Sequence, residues 1–178
     1  MPNAPYRPDR AIALVGPMGA GKSTVGRLLA TRLALPFVDA DAEIEREAGL
    51  SVADIFERHG ESRFREHERR LMALLTEGPP RVIAAGGGAF VDPETRALVL
   101  SRCVAVWLDA EAATLARRIG TGARRPLLSG RHPEQALATL AATRNPIYAE
   151  AHIRIRTDAG TPVEIAGEIV SALMARAA

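Results

Sequence analysis

An α/β fold, with a parallel sheet enclosed between layers of helices, is predicted by three features of the sequence. Short apolar runs alternate with stretches of helical period along the whole 178-residue chain, as in repeated strand–helix–strand units. The first run, Ala11-Ile-Ala-Leu-Val15, is continuously apolar, which suits a strand buried on both faces. A glycine-rich turn then leads straight into an amphipathic stretch, so a central strand passes directly into a helix.

The other elements follow in order. Residues Lys22–Leu33 place Val25, Leu28, Leu29 and Leu33 on one helical stripe, and residues 36–39 read as a second short strand. Ser51-Val-Ala-Asp54 resembles a capping box opening a helix, with Asp where Glu or Gln is commoner. A further helix is expected over residues 61–76, stopping before Gly78-Pro-Pro80. Residues 81–85 form a third strand, and Asp92-Pro93 reads as an N-cap with proline at the first helical position. Residues 103–108 make a fourth strand, followed by a helix through Arg118. The rhythm breaks over residues 120–133, where three glycines, two prolines and three arginines suit a mobile lid. A helix over 133–149, an alternating strand over 152–156 and an amphipathic helix over 163–175 close the chain. No repeat or linker divides it. One domain over residues 10–178 is expected behind a flexible tail of residues 1–9.

Composition narrows the function classes. Apolar residues make up 47% and charged residues 25%, which excludes a disordered or fibrous chain. A domain of this length buries about 70% of the surface its unfolded chain exposes, so it needs no disulfide or structural metal. Cys103 is the one cysteine, which suits a reducing compartment. The first nine residues are polar and proline-broken, without the apolar core of a signal peptide. No apolar run approaches the roughly 20 residues of a membrane span. A cytoplasmic location with no membrane partner is therefore expected. Net charge is only +2, signs alternate through Glu61–Arg70, and aromatics are 4%, all of which argue against a nucleic-acid partner.

Gly16-Pro-Met-Gly19-Ala-Gly21-Lys22-Ser23 matches G-x-x-x-x-G-K-[ST] at every fixed position, after a strand and opening a helix. Glycines at 16, 19 and 21 let backbone N–H groups converge on phosphate oxygens, and the helix N-terminus adds partial positive charge there. Lys22 would lie against the β- and γ-phosphates, and the Ser23 hydroxyl would ligate Mg²⁺. Lys22 is the single lysine among 23 basic residues, placed where a compact ammonium is needed. A nucleoside triphosphate with Mg²⁺ is the expected ligand, contacted by Gly19, Ala20, Gly21, Lys22, Ser23 and Thr24.

Two further candidates border the same crevice, because ligands of parallel sheets sit at strand C-terminal ends. Asp39-Ala-Asp41 follows the second strand. If it keeps a strand-end conformation the two carboxylates point the same way, one toward Mg²⁺ and one toward an acceptor hydroxyl; the alternative is an Asp capping the next helix. Gly86-Gly-Gly88 follows the third strand and permits close approach of backbone to a small ligand, or simply turns. The histidines 59, 67, 132 and 152 show no metal-ligand spacing and are expected at the surface or in loops. Cys103 and Trp107 are expected in the core.

Residues Gly16 to Thr24, Asp39-x-Asp41, Gly60-Glu-x-x-Phe-Arg65-x-x-Glu68, Gly86-Gly-Gly88, Arg125-Pro-Leu-Leu128 and Arg144-Asn-Pro-Ile-Tyr148 occur together and in order. The set resembles shikimate kinase over nearly the whole chain. The resemblance implies a mononucleotide-kinase-like α/β/α fold with a five-stranded parallel sheet and a lid. It also implies transfer of the γ-phosphoryl of ATP to the 3-hydroxyl of shikimate, in aromatic amino-acid synthesis. By motif position, Asp41 resembles the residue that orients and deprotonates that hydroxyl, which leaves Asp39 as the strand-end carboxylate expected to assist Mg²⁺. Arg65 and Arg144 resemble the pair holding the shikimate carboxylate, with Gly87 and Gly88 completing the pocket. Arg125 resembles the lid arginine that reaches the transferring phosphate. Arg118 resembles the residue over the adenine, and Pro162 lies in an adenine-side loop. Independently, arginine binds carboxylates in bidentate fashion, and Glu68 lies three residues after Arg65, on the same helix face, where it can hold the guanidinium. Arg63, Arg69 and Arg70 are expected in surface ion pairs. The family often carries a small hydroxyl residue before the triple glycine, where this chain has Ala84 and Ala85. The phosphate loop alone would also suit a kinase for another small polyhydroxy acid or a silent nucleotide-binding relative. Lys22, Ser23, Asp41 and Arg125 together argue for catalysis, and a monomer is expected.

Overall fold

The computed structural model describes residues 7–120 and 132–177. The strands are β1 (Ala11–Val15), β2 (Phe37–Asp39), β3 (Val82–Ala84), β4 (Cys103–Asp109) and β5 (Ile153–Arg156). The helices are α1 (Lys22–Leu33), α2 (Ala40–Ala48), α3 (Val52–Leu75), α4 (Pro93–Arg102), α5 (Ala112–Ile119), α6 (Pro133–Tyr148) and α7 (Pro162–Ala177). A 3₁₀ turn, Ala89–Val91, joins β3 to α4. The sheet has five strands in the order β2-β3-β1-β4-β5, and every pairing is parallel.

Alternation along the strands builds two cores. Ala11, Ala13 and Val15 of β1 join Ile83 and Trp107 in a core with residues of α2, α3 and α4. Ile12 and Leu14 turn the other way and meet α1 and α7 through Leu29, Ile165 and Ile169. All five residues of β1 are buried, so this strand is apolar without interruption because both faces carry helices. Each fully buried Leu, Ile or Phe side chain contributes about 1.5–3 kcal/mol.

Local rules explain most boundaries. Asp92 accepts from Thr95 N and Pro93 begins α4, as expected of that dipeptide. Ser51 caps α3, with Asp54 N donating to Ser51 Oγ at 3.1 Å and Ser51 Oγ to Asp54 Oδ2 at 2.7 Å. Gly60 (φ 80°, ψ 163°) breaks α3 into two segments, which matches the two helices read from the sequence. Thr161 and Glu164 form a reciprocal cap at the start of α7.

Two expectations are corrected. Asp39-Ala-Asp41 does not stay extended. Asp39 ends β2 and caps α2, its Oδ1 accepting from Ala42 N at 3.3 Å, and Asp41 lies in the first helical turn. An Asp with a strong N-cap preference stops the strand one residue before the alternation could operate. His152 lies in the bend just before β5, as expected of a loop histidine. It is half-buried, and Ala105 N donates to its Nδ1 at 3.0 Å where β4 runs past the start of β5. The strand over 81–85 is also shorter than expected, only Val82–Ala84. Trp107 (2% exposed) and Cys103 are in the core as expected, and burial pushes the Cys103 thiol up to about 11. Among the described residues no helix is long and apolar enough to cross a membrane. The tail expected over residues 1–9 lies largely outside the described residues, as does most of the expected lid.

Candidate active site

The C-terminal end of β1 opens into the glycine loop. Gly16, Gly19 and Gly21 have φ of 137°, 80° and 93°, conformations that side-chain-bearing residues rarely adopt. The first turn of α1 carries no acidic residue, so the positive end of its dipole is left for a ligand. Lys22 Nζ donates to the carbonyls of Gly16 and Pro17, each at 2.8 Å, which folds the ammonium back over the loop. Ala20 turns its methyl into the core and offers only backbone to the loop. Thr24 is exposed at the rim.

Next to the loop, Ser23 Oγ donates to Asp39 Oδ2. A hydroxyl and a carboxylate side by side at a phosphate loop are the hard oxygen donors that suit Mg²⁺, which takes one or two carboxylates and fills its shell with phosphates and water. No cluster of three or more His, Cys, Asp or Glu able to hold a metal occurs among the described residues, so phosphate oxygens would complete the set. Ala84 and Ala85 are buried at the cavity wall and provide no hydroxyl there.

The triple glycine packs against Asp41, Glu68 and Arg65. A methyl group on Gly86 would stand 2.5 Å from Glu68 Oε1 and 2.6 Å from Asp41 Oδ1, and one on Gly88 would stand 2.7 Å from Arg65 Cζ. A side chain at either position would push these functional groups out of place. Asp41 Oδ1 and Glu68 Oε1 are buried and accept no hydrogen bond among the described residues. Burial raises the Asp41 carboxyl above its ordinary value, opposed by the nearby Lys22 charge. Burial likewise raises Glu68, opposed by Arg65. Arg65 Nη1 meets Glu68 Oε2 at 2.7 Å, and Arg65 also reaches Glu61. Arg144, on α6, donates to the Gly87 carbonyl at 3.3 Å.

One cavity of about 650 Å³ gathers these groups. Its wall carries Gly19, Gly21, Lys22, Ser23 and Thr24 on the phosphate side. Asp39 and Asp41 stand between, and Arg65, Glu68, Gly87, Gly88 and Arg144 form the far side. Arg118 and Pro162 stand apart from this cavity. Arg118 is anchored on Thr157, donating to its Oγ1 at 3.1 Å and to its carbonyl, and Pro162 is the exposed first residue of α7. Arg125 lies outside the described residues. Arg63 pairs with Glu66 at the surface, and Arg69 pairs with Asp92. Sequence reasoning gave no role to Thr157, and took Gly86 and Tyr148 only as members of their motifs. For Gly86 a signal existed in the unbroken triplet.

Comparison with known proteins extends the site to a family. A sequence model described as shikimate kinase matches residues 18–174. A shikimate kinase of Zymomonas mobilis is 48% identical over 172 residues, covering 97% of this chain and 97% of that protein. One of Caulobacter vibrioides is 50% identical over 167 residues, covering 94% and 82%. A solved shikimate kinase of Acinetobacter baumannii, in complex with shikimate, has a TM-score of 0.91 at 39% identity and covers 94% of each chain. A gluconokinase of Sinorhizobium meliloti, at 21% identity and a TM-score of 0.64, shares the fold alone. With the family's sequence pattern spanning the fold and its motifs among the described residues meeting at one cavity, this chain belongs to the shikimate kinase family, whose reaction is the ATP-dependent phosphorylation of shikimate.

Proposed function

We propose that this enzyme transfers the γ-phosphoryl group of ATP specifically to the 3-hydroxyl of shikimate, with Asp41 accepting the hydroxyl proton. The observation that supports it is the single cavity in which a phosphate-binding helix N-terminus faces an arginine pair across a buried, unpartnered carboxylate oxygen. Phosphoryl transfer depends on positioning and charge neutralisation, and this arrangement supplies both.

Arg65 and Arg144 clasp the substrate carboxylate, and Gly87 and Gly88 close the floor beneath it. Glu68 fixes the Arg65 guanidinium, which otherwise would have to be ordered by the substrate itself. Asp41, on the first turn of α2, stands between the acid end of the substrate and the phosphate loop. As the hydroxyl oxygen bonds to the γ-phosphorus its proton passes to Asp41, and the bond from phosphorus to the ADP oxygen breaks. Lys22 leaves its loop carbonyls to neutralise the transferring phosphate. Ser23 and Asp39 would hold Mg²⁺, which when bound neutralises charge on the triphosphate. By its motif, Arg125 brings a further cation to that phosphate, and Arg118 and Pro162 border the adenine. The working unit is a monomer, acting in the cytoplasm where ATP is abundant.

Product analysis tests this. The enzyme incubated with Mg·ATP and shikimate is expected to give one phosphomonoester, with phosphorus–proton coupling in the NMR spectrum to the proton on C3. Coupling to another ring proton would overturn the placement of Asp41.

A further inference from the structure

We propose that Tyr148 is a positioning residue for the substrate carboxylate, acting through the Gly87–Gly88 peptide. This rests on the assignment of that site above. The Tyr148 hydroxyl donates to the Gly87 carbonyl at 2.5 Å. Arg144 Nη1 donates to the same oxygen at 3.3 Å. The two donors lie four residues apart on α6, one turn above the other, which is why both reach one acceptor.

The consequence follows from peptide geometry. The chain has no cis peptide among the described residues, so the Gly87 carbonyl and the Gly88 N–H point in opposite directions across one plane. Pinning the carbonyl toward α6 therefore aims the Gly88 N–H away from α6. Gly88 is buried and lines the cavity, and among the described residues its N–H has no acceptor. A buried backbone donor without a partner is rare in a folded chain unless a ligand or water takes it.

Tyr148 is built to hold this plane. It is 1% exposed, and its ring stacks on Phe90 at 6.5 Å and Trp107 at 5.9 Å between centroids. Arg144 is long and half-buried, touching the Tyr148 hydroxyl and the Gly87 carbonyl, and its 3.3 Å bond to that carbonyl can be given up for an arriving carboxylate. Tyr148 stays, so the Gly88 N–H keeps its aim while Arg144 changes partner. The three glycines alone could not hold that orientation, since glycine peptides flip readily.

Tyr148→Phe keeps both ring contacts and deletes the hydroxyl, with its bond to Gly87 and its contact with Arg144. The expected result is a KM for shikimate raised about 5- to 10-fold, the scale of one hydrogen bond. The kcat and the KM for ATP should stay within about 2-fold of wild type. Titration of shikimate against the fluorescence of the single tryptophan, Trp107, should show the same loss in Kd without turnover. An unchanged KM and Kd for shikimate would overturn the proposal. So would a parallel rise in both KM values with a large fall in melting temperature, which would make Tyr148 a structural residue only. Wild-type turnover of shikimate in the same assay separates this outcome from a failure of the parent assignment.

Discussion

Asp41→Asn and Arg144→Ala divide chemistry from binding. Asparagine keeps the shape of the aspartate but takes no proton, so kcat is expected to fall about 10²-fold or more with ATP binding intact. Arg144→Ala removes a charged donor from the carboxylate site and is expected to raise KM for shikimate roughly 10- to 100-fold, leaving KM for ATP nearly constant. Steady-state kinetics in both substrates separates them; an Asp41→Asn enzyme with near-normal kcat would remove that residue from proton transfer. The contrast reflects position. Asp41 stands within the electrostatic reach of Lys22 beside the phosphate loop, whereas Arg144 approaches from α6 beside the triple glycine. Some of this was legible in the sequence, because the phosphate loop has fixed spacing and Arg65–Glu68 has helical spacing. Tyr148, Thr157 and His152 were not, since each makes its defining bond to a group 61, 39 or 47 residues away.

Among the elements, the junction of β2 and α2 decides where the acids point. Period-two alternation predicted two parallel carboxylates, yet helix capping wins at Asp39, and Asp41 reaches the cavity from a helical turn instead. Both still line the cavity, through a local geometry that alternation along a strand does not give. The junction of β4 and β5 carries a pH dependence. Burial and the charges of Arg176 and Arg10 lower the His152 pKa below its ordinary value, and the neutral ring accepts the Ala105 N–H. Below about pH 6.5 the unfolded chain then binds a proton that the folded chain resists. His152 therefore adds stability above that pH and loses it as pH falls toward the depressed folded value. Urea unfolding at pH 7.5 and 5.5 should show a larger loss for wild type than for His152→Asn. Equal losses would contradict the role of the ring.

For the molecule as a whole, the sheet order β2-β3-β1-β4-β5 places the ends of β1, β2 and β3 side by side. These ends supply the phosphate loop, the aspartates and the triple glycine, while α3 and α6 bring Arg65 and Arg144 across to them. The alternation of apolar runs and helices was sufficient to foresee this architecture, because a parallel sheet covered on both faces imposes it. The substrate was legible only through motifs spread over more than a hundred residues, of which the described ones line one cavity. ADP release from Mg·ATP by the purified protein, measured with shikimate, with gluconate and with no acceptor, tests that convergence most directly. Strong turnover with shikimate alone is predicted. Turnover with gluconate instead, or ATP binding without turnover on any acceptor, would contradict it.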